Sequence, residues 1–588
     1  MRARGADVAG AVFAAAVLCA ADPTRTVVAT PVSWLLVTAG GTAVLALAAW
    51  QRTLVVPPKW VGITYVAFLG WLALAAAGGE DGRFAWLGIP QRHAGWLLWL
   101  LCGTLFVSGV RWRAVADGLV VAGLVWLPLL AADALGHPWI DAGTDRLTGP
   151  FGSAAYLGAA SCLVAPAALG VALDAARRTG WRWAAAVAAA SALFGAVGSG
   201  SRAAWLALTV VGGAAAWRAR RSPWLPKVAA GAAVVVGCAA LLTPVGARLS
   251  SATDSTAAGG TSRLDEWRVG VATLAHHPLV GAGPEGYRIV FHEGVDAAYE
   301  REHGRAVQPD RAHNGLLDIA LAGGIPAALL YAAFVVAAAL SVRRRMRGRA
   351  WPPALAGASA AIVAYLVQQQ LLFPLAELEP VLFLLAGGVV CRGRPVLRLP
   401  RLAARAGAAA LGALAVAALW WGVRDVAAWR AAGAATTATD MATAQRHALD
   451  AIAWRSDEVW LHLLAARSAP TAEAALAHVD TALRLSPGDP IALLRRQELL
   501  VTTDPATAFE ELHDLVAADP HNAALQLLFG TAAIRTGDET VAERAWLRAL
   551  DLAPGSPGPR QNLITLYRRQ GRDTEADALE ESGTDGRG

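Results

Sequence analysis

Three short polar segments interrupt an otherwise apolar sequence, and each carries residues that could do chemistry. In the first, Ser201 and Arg202 follow a run of small residues; in the second, Arg263 stands four residues before Trp267, on the same face of a predicted helix. In the third, His313 opens an apolar stretch. A guanidinium binds phosphate oxygens through a planar fork of donors, and a neutral imidazole can accept a proton from a hydroxyl. These residue types are suited to holding a phosphate group and activating a hydroxyl.

Each of these residues also has a simpler explanation when taken singly. Arg202 is compatible with an arginine that anchors a helix at a membrane surface, and His313 with a histidine at a helix terminus or interface. Between them, Gly281 and Gly283 would let the backbone approach a ligand or turn tightly. The adjacent His276 and His277 point apart on a helix and have no carboxylate at ligand spacing, so the sequence predicts no metal site.

The composition shows which elements must position these residues. The 588 residues are 55% hydrophobic and 16% charged, and the apolar residues form blocks long enough to cross a bilayer. We predict an all-α fold: a polytopic membrane helix bundle over residues 1–423, followed by a helical repeat domain over 435–582. The hydropathy pattern predicts about thirteen spans, near 6–21, 31–50, 60–78, 94–110, 114–134, 154–173, 183–198, 203–217, 228–246, 325–342, 354–373, 376–391 and 403–423.

The basic residues predict the sidedness. Arginine and lysine concentrate in alternate connections, beginning with Arg2 and Arg4, and this pattern favours an inside N-terminus and an outside C-terminal domain. The connection over 247–312 then lies outside, and Glu377 and Glu379 need not be buried because the twelfth span begins outside. The net charge of +6 combines a basic membrane part with an acidic tail, which excludes nucleic acid as a partner and indicates contact with anionic membrane lipids.

The tail has an internal repeat. Pro487, Pro520 and Pro554 recur at intervals of 33 and 34 residues, each after an amphipathic stretch. This period is similar to that of the tetratricopeptide repeat, whose helix pairs stack into a solenoid. Such a solenoid either offers a concave surface to a protein or glycan partner or merely packs on the membrane domain.

Taken together, the motifs resemble the O-antigen ligase and O-antigen polymerase superfamily over roughly residues 80–390. The resemblance rests on Ser201-Arg202, the Arg263 to Trp267 helix, the turn ending Gly281-Ala282-Gly283, and His313-Asn314 followed at a distance by Gly324. It departs from the family at Ala327, after Gly324. A second departure is the segment beginning at Arg146, where the family tends to have asparagines.

The resemblance implies a reaction at the outer face of the cytoplasmic membrane. A polyprenyl-pyrophosphate-linked glycan is the expected donor, and a hydroxyl of a glycan, lipid or protein is the expected acceptor. His313 is the candidate general base, and Arg202 and Arg263 are the candidate pyrophosphate-binding residues. The candidate substrate contacts are Asn314, Arg146, Arg92, Arg268, Trp267, Gly281 and Gly283. We expect no cofactor and no metal, since guanidinium groups can neutralise the departing pyrophosphate.

Several alternatives remain open at this point. The same residues suit a ligase, which passes a finished chain to a different acceptor, or a polymerase, which joins lipid-linked repeat units. A polysaccharide or lipid transporter is the main rival class, but transporters place ionisable residues near the membrane midplane. Arg146, Arg92 and Arg268 also suit ion pairs with the acidic tail instead of phosphate contacts.

Overall fold

The computed structural model describes residues 4–20, 30–218, 220, 225–242, 263–305 and 309–584. Every predicted span coincides with a helix, although parts of the spans 6–21 and 228–246 lie outside the described residues. The helices of the membrane part are Gly5–Leu18, Pro31–Leu35, Gly41–Trp50, Lys59–Ala77, Gly82–Leu87, Trp96–Phe106, Trp112–Ala134, Ala154–Leu173, Thr179–Gly198, Arg202–Arg218, Leu225–Leu242, Gly315–Met346, Pro353–Gln368, Glu379–Val390 and Arg401–Thr437. A π-helical turn at Leu36–Gly40 joins the second to the third.

Seven of these helical segments are long and apolar enough to cross a membrane. They are Pro31–Trp50, Lys59–Ala77, Trp112–Ala134, Ala154–Leu173, Gly315–Met346, Pro353–Leu371 and Arg401–Thr437. Four shorter apolar helices accompany them, among them Trp96–Phe106 and Glu379–Val390. The chain is therefore a multi-span membrane protein, and the number thirteen stays a prediction.

The described part of the long connection is folded. Its helices are Arg263–His276, Tyr287–Val290 and Ala297–His303, and they enclose a small apolar core around Phe291 and Tyr299. The residues 247–262 lie outside the described part of the chain. The connection therefore supplies a compact platform on the membrane helices rather than an extended linker.

Helix Gly315–Met346 is kinked where the platform meets it. Gly324 has φ +72° and Gly323 is also non-helical, so the helix direction changes there. The turn that precedes Gly281 packs into this kink, since Ile325 N donates to Pro278 O at 2.9 Å and Ala282 N donates to Leu321 O at 2.8 Å. Through this kink, the platform is attached to helix Gly315–Met346, which directly follows His313 and Asn314.

Two carboxylates that the sequence does not require to be buried are in fact enclosed. Glu377 is 5% exposed and Glu379 is fully buried. Glu379 accepts hydrogen bonds from Tyr365 Oη at 3.0 Å and from the Gln369 amide. The expectation for these two residues was wrong because the chain turns at Gln369–Leu371, which brings the Glu379 carboxylate back to Tyr365 of the preceding helix, and Glu377 is buried as well.

The tail consists of consecutive antiparallel helices. They are Met441–Trp454, Val459–Arg467, Ala472–Leu485, Pro490–Thr503, Pro505–Ala518, Ala523–Thr536, Glu539–Leu552, Pro557–Arg569 and Asp573–Thr584. Three of them begin after an equivalent capping residue, since Thr471, Asp504 and Asp538 each accept a hydrogen bond from the backbone N–H three residues later. The 33- and 34-residue sequence period therefore corresponds to one helix pair, and the solenoid remains a prediction.

The tail is joined to the membrane part in two ways. Helix Arg401–Thr437 has 37 residues, about 55 Å, and it continues past the predicted domain boundary at 423 into the packing of the first tail helices. The platform also pairs with tail carboxylates: Arg288 with Asp489, Arg305 with Asp519 and Arg301 with Asp551. These three arginines join the platform to the tail, whereas Arg92 and Arg268 form ion pairs with Asp310 and Asp296 of the connection itself.

Candidate functional site

Arg263 and His313 meet at one buried carboxylate. Arg263 Nη1 donates to Glu266 Oε2 at 2.8 Å, and His313 Nδ1 lies 3.1 Å from the same oxygen. Glu266 is only 5% exposed, whereas the Arg263 side chain is 46% exposed. The His313 contact has the distance of an ion pair without the direction of a hydrogen bond, since Nδ1 has no hydrogen-bond partner among the described residues. The first helix of the platform thus brings a cation and an imidazole together.

The backbone at His313 is strained and held from both sides. Its φ of +52° is in the left-handed region, which a residue with a Cβ rarely adopts outside functional sites. The flanking backbone groups both donate to one carboxylate: Ala312 N to Asp318 Oδ1 at 2.8 Å and Asn314 N to Asp318 Oδ2 at 3.3 Å. Asp318 is buried in the first turn of the helix that follows. This carboxylate fixes the direction in which the imidazole leaves the backbone.

An aromatic ring connects His313 to Arg92. The Phe373 ring lies edge-on to the imidazole, with centroids 5.3 Å apart, and the Arg92 guanidinium lies 4.8 Å from the Phe373 centroid. Arg92 also pairs with Asp310 through two hydrogen bonds, of 2.6 and 3.1 Å, and donates to Tyr156 Oη at 3.1 Å. Arg92 therefore lies beside His313, with its guanidinium already engaged.

The electrostatics of this group follow from burial and pairing. Burial raises the pKa of Asp310, but Arg92 lowers it further, and the net pKa lies below its ordinary value. Burial raises the pKa of Glu285, against the opposing effect of Arg311, with which it forms an ion pair. Glu285 also accepts from Ala94 N at 2.8 Å, so it ties the turn carrying Arg92 to the platform.

Arg202 and Arg146 lie at the start of helix Arg202–Arg218, away from the Arg263–Glu266–His313 group. Arg202 is exposed and begins its helix, and it makes no ion pair or hydrogen bond with the residues that the structure describes. Arg146 Nε donates to Ser199 O at 2.6 Å, just before that helix. The helix of Arg202 packs against the Gln369–Leu371 turn, and Asn314 Nδ2 donates to Gln370 O in the same turn at 3.1 Å. The helix of Arg202 and the His313-Asn314 segment thus contact the same turn, Gln369–Leu371. The Arg202 side chain forms no ion pair or hydrogen bond with Arg263 or His313.

Three of the predicted substrate contacts have structural roles in this arrangement. Asn314 caps the following helix, with Oδ1 accepting from Leu317 N at 3.0 Å. Gly281 and Gly283 have φ of +65° and +83°, and a Cβ on either would meet backbone atoms within 2.7 Å. Gly281 is therefore needed where the turn lies against the Gly323–Gly324 kink, and Gly283 where it lies against the backbone of Gly79. Both glycines fit a tight turn, the second of the two roles that the sequence allows them.

The remaining two predicted contacts lie on the same helix as Arg263. Arg268 is 3.6 Å from Asp296, and both side chains are more than half exposed. Trp267 is partly buried, and its indole Nε1 has no hydrogen-bond partner among the described residues. Neither residue belongs to the Arg263–Glu266–His313 group, and their contact with substrate stays a prediction.

One group in the described chain could hold a metal ion. Ligand atoms of Asp265, Glu302 and His303 lie within 4.8 Å of one another, and His303 Nε2 is 3.3 Å from Asp265 Oδ2. The group joins the Arg263 helix to helix Ala297–His303. It is separate from the histidine pair considered in the sequence, and the absence of a metal from the reaction stays a prediction.

Sequence reasoning missed the carboxylates and the ring that organise the site. Glu266 had a detectable signal, because it stands three residues after Arg263 and so shares its helix face. Asp318 stands four residues after the capping residue Asn314, in the first turn of the helix, where a carboxylate can reach the preceding backbone. Asp310, Tyr156 and Phe373 carry no local signal, since only the fold brings them to His313 and Arg92.

Comparisons with known proteins add one finding on function. None of the curated proteins matches this chain at a significant level. Two solved structures are similar to part of it: "MamA 41-end from Desulfovibrio magneticus RS-1" and "MamA RS-1 ArsTM double mutant". Each is 18% identical in sequence to this chain. The alignment covers 28% of this chain in both cases, and 94% of the first structure and 93% of the second. The TM-score of 0.25 is too low to support a conclusion.

Residues 184–332 match the family model described as O-Antigen ligase. This range contains Arg202, Arg263, Glu266 and His313, and it excludes Arg92 and Arg146. The match covers only this part of the chain. Together with the apolar helices, it supports a multi-span membrane enzyme that transfers or polymerises lipid-linked glycans.

Proposed function

We propose that the chain transfers a polyprenyl-pyrophosphate-linked glycan to an acceptor hydroxyl at the outer face of the cytoplasmic membrane. The observation that carries this proposal is the shared Glu266 carboxylate, which brings the guanidinium of Arg263 and the imidazole of His313 to one place. The family match over residues 184–332 supports the donor class, since it covers both residues. The N-terminus lies inside, and the tail lies outside.

The cationic groups act on the leaving group. Glu266 engages Nη1 of Arg263, and the rest of this half-exposed guanidinium can bind a phosphate oxygen. Arg202 is exposed and adds a second cation at the outer end of a neighbouring helix. As the bond between the anomeric carbon and the pyrophosphate oxygen breaks, both electrons leave with the pyrophosphate, and the guanidinium groups stabilise the growing negative charge.

The imidazole acts on the acceptor. His313 Nδ1 faces Glu266, so Nε2 is the nitrogen available to take the proton of an acceptor hydroxyl. The hydroxyl oxygen then forms the new bond to the anomeric carbon, and a direct displacement inverts that centre. Glu266 stabilises the imidazolium that forms, and the proton is afterwards released to solvent or to the departing pyrophosphate.

Arg92 and Asp318 act as positioning residues in this scheme. Arg92 is paired with Asp310 and packs on Phe373, which in turn contacts His313. Asp318 holds the backbone on both sides of His313. Trp267, Arg146 and Arg268 remain candidates for contact with the glycan or lipid chain.

A deletion strain tests this proposal. A ligase predicts that full-length lipid-linked polymer accumulates while surface glycan is lost, whereas a polymerase, the alternative that shares this chemistry, predicts single lipid-linked repeat units. Wild-type protein restores the surface glycan in either case. A strain whose lipid-linked glycan stays on the cytoplasmic side of the membrane would contradict transfer and indicate a transporter.

A further inference from the structure

A cationic cavity lies at the end of the membrane bundle opposite the His313 site. It has a volume of about 390 Å³, and Arg4, Arg111, Arg113, Arg392 and Arg394 line it. This volume is within the range of small-molecule sites, about 300–1,000 Å³. Four separate stretches of chain contribute to it: the start of helix Gly5–Leu18, the connection after Trp50, the connection before Trp112 and the connection after Val390.

The backbone around this cavity is fixed by hydrogen bonds between the connections. Val55 N donates to Val107 O at 2.9 Å, Val56 N donates to Pro395 O at 3.1 Å, and Leu397 N donates to Leu54 O at 2.7 Å. An isolated β-bridge joins Val55 to Val396. Three inter-helix connections are thus held together by their own backbone hydrogen bonds. The backbone that carries their arginines is therefore ordered without a bound ligand.

The positive charge of the cavity is only partly neutralised. Asp7 pairs with both Arg4 and Arg111, at 3.0 and 2.7 Å, and Arg394 donates to the backbone carbonyls of Val56 and Pro57. Arg113 and Arg392 make no ion pair or hydrogen bond with any residue of the described ranges. The Arg113 guanidinium lies over the ring of the neighbouring Trp112, 5.4 Å from its centroid. Two guanidinium groups therefore remain free to bind an anion.

The cavity is distinct from the His313 site. Helix Glu379–Val390 begins beside Gln369, next to the turn that accepts from Asn314, and its other end lines the cavity at Gly387 and Gly388. The helix has 12 residues and separates the two sites by about 18 Å along its axis. The sidedness inferred from the sequence places this end at the cytoplasmic surface.

We propose that this cavity binds the phosphate group of an anionic ligand, either an anionic phospholipid headgroup or a soluble phosphate. Arginines spread along a membrane surface are explained by the orientation of the chain in the membrane. Here five of them converge on one concave site, and among the described residues Asp7 is the one carboxylate paired with them. Guanidinium forks match phosphate oxygens in geometry and charge, and basic pockets between membrane helices bind lipid headgroups. This site does not depend on the proposed glycan transfer.

The experiment uses the full chain in nanodiscs of phosphatidylcholine. Phosphatidylglycerol is titrated and counted by native mass spectrometry, and inorganic phosphate is titrated by calorimetry. All proteins carry Arg263→Ala, so that phosphate binding near His313 does not contribute. The test variant is Arg113→Gln with Arg392→Gln, and the matched control is Arg344→Gln with Arg349→Gln, two exposed arginines near the same end of the bundle.

We expect saturable binding that weakens about a hundredfold in the double cavity variant, at about tenfold for each arginine, and by less than about twofold in the control. Binding of phosphatidylglycerol alone identifies a lipid headgroup as the ligand, and binding of phosphate alone identifies a soluble one. If the Gln pair does not fold, the Lys pair is measured instead, and it is expected to bind several-fold more weakly because lysine lacks the planar fork. No saturable binding of either probe, or equal affinity in cavity and control variants, would overturn the proposal.

Discussion

Replacing Glu266 by Gln tests whether its carboxylate organises the reaction. The carboxylate oxygen lies 3.1 Å from His313 Nδ1, so it faces the imidazolium that forms when His313 takes a proton. A hydrogen bond or contact to a charged group is worth about 1.5–3 kcal/mol, which corresponds to about 10- to 150-fold in kcat. Gln keeps the shape and loses the charge, and the half-exposed Arg263 can be solvated by water, so we expect only a small change in unfolding temperature.

The matched control is Glu293→Gln. Glu293 forms another carboxylate–histidine pair in the same platform, 2.7 Å from His277 Nε2, with both side chains about a quarter exposed. Transfer is measured with purified protein, a lipid-linked donor and a saturating acceptor, and donor affinity is measured separately. We expect kcat to fall in Glu266→Gln alone, with little loss of donor affinity. A wild-type kcat in Glu266→Gln, or an equal loss in Glu293→Gln, would refute the role assigned to this carboxylate.

Three further predictions concern phosphate binding, metal and the tail. Arg263→Lys is expected to lower kcat nearly as much as Arg263→Ala, because lysine cannot bind phosphate in a bidentate manner; full activity in the Lys variant would exclude that geometry. Transfer is expected to persist in excess chelator, although Asp265, Glu302 and His303 could hold an ion, and a strict requirement for a divalent cation would contradict the metal-free mechanism. Arg288→Gln is expected to destabilise the fold by about 3–5 kcal/mol, because it leaves the buried carboxylates of Asp81 and Asp489 unpaired. The exposed Arg301→Gln serves as control, and an equal effect of both on urea unfolding would show that the buried pair is unimportant.

The helical architecture could be predicted from the sequence because its signals are local. Apolar blocks of membrane-spanning length predict helices wherever they occur, and each predicted span coincides with one. The period of Pro487, Pro520 and Pro554 likewise marks the ends of successive helix pairs, whose second helices begin after equivalent caps. These features require only the spacing of residues near one another in the chain.

The site could be predicted only in part, because its residues meet through tertiary contacts. Arg263 and His313 are fifty residues apart, and the buried Glu266 that joins them looks in the sequence like a surface residue of a short helix. The ring of Phe373 and the carboxylate of Asp310 reach His313 and Arg92 from other segments. The burial of Glu377 and Glu379 was missed for the same reason. The sequence does not indicate that Tyr365 and Gln369 donate hydrogen bonds to Glu379.

The direct test of the mechanism separates catalysis from binding at His313. In His313→Ala, the acceptor hydroxyl loses its base, and kcat is expected to fall by about 10²–10⁴ while the affinity for the lipid-linked donor stays within a few-fold of wild type. His276→Ala, which changes an exposed histidine at the end of platform helix Arg263–His276, is expected to leave both quantities unchanged. A His313→Ala protein that turns over within a few-fold of wild type would show that another group removes the proton, and the proposed chemistry would be wrong.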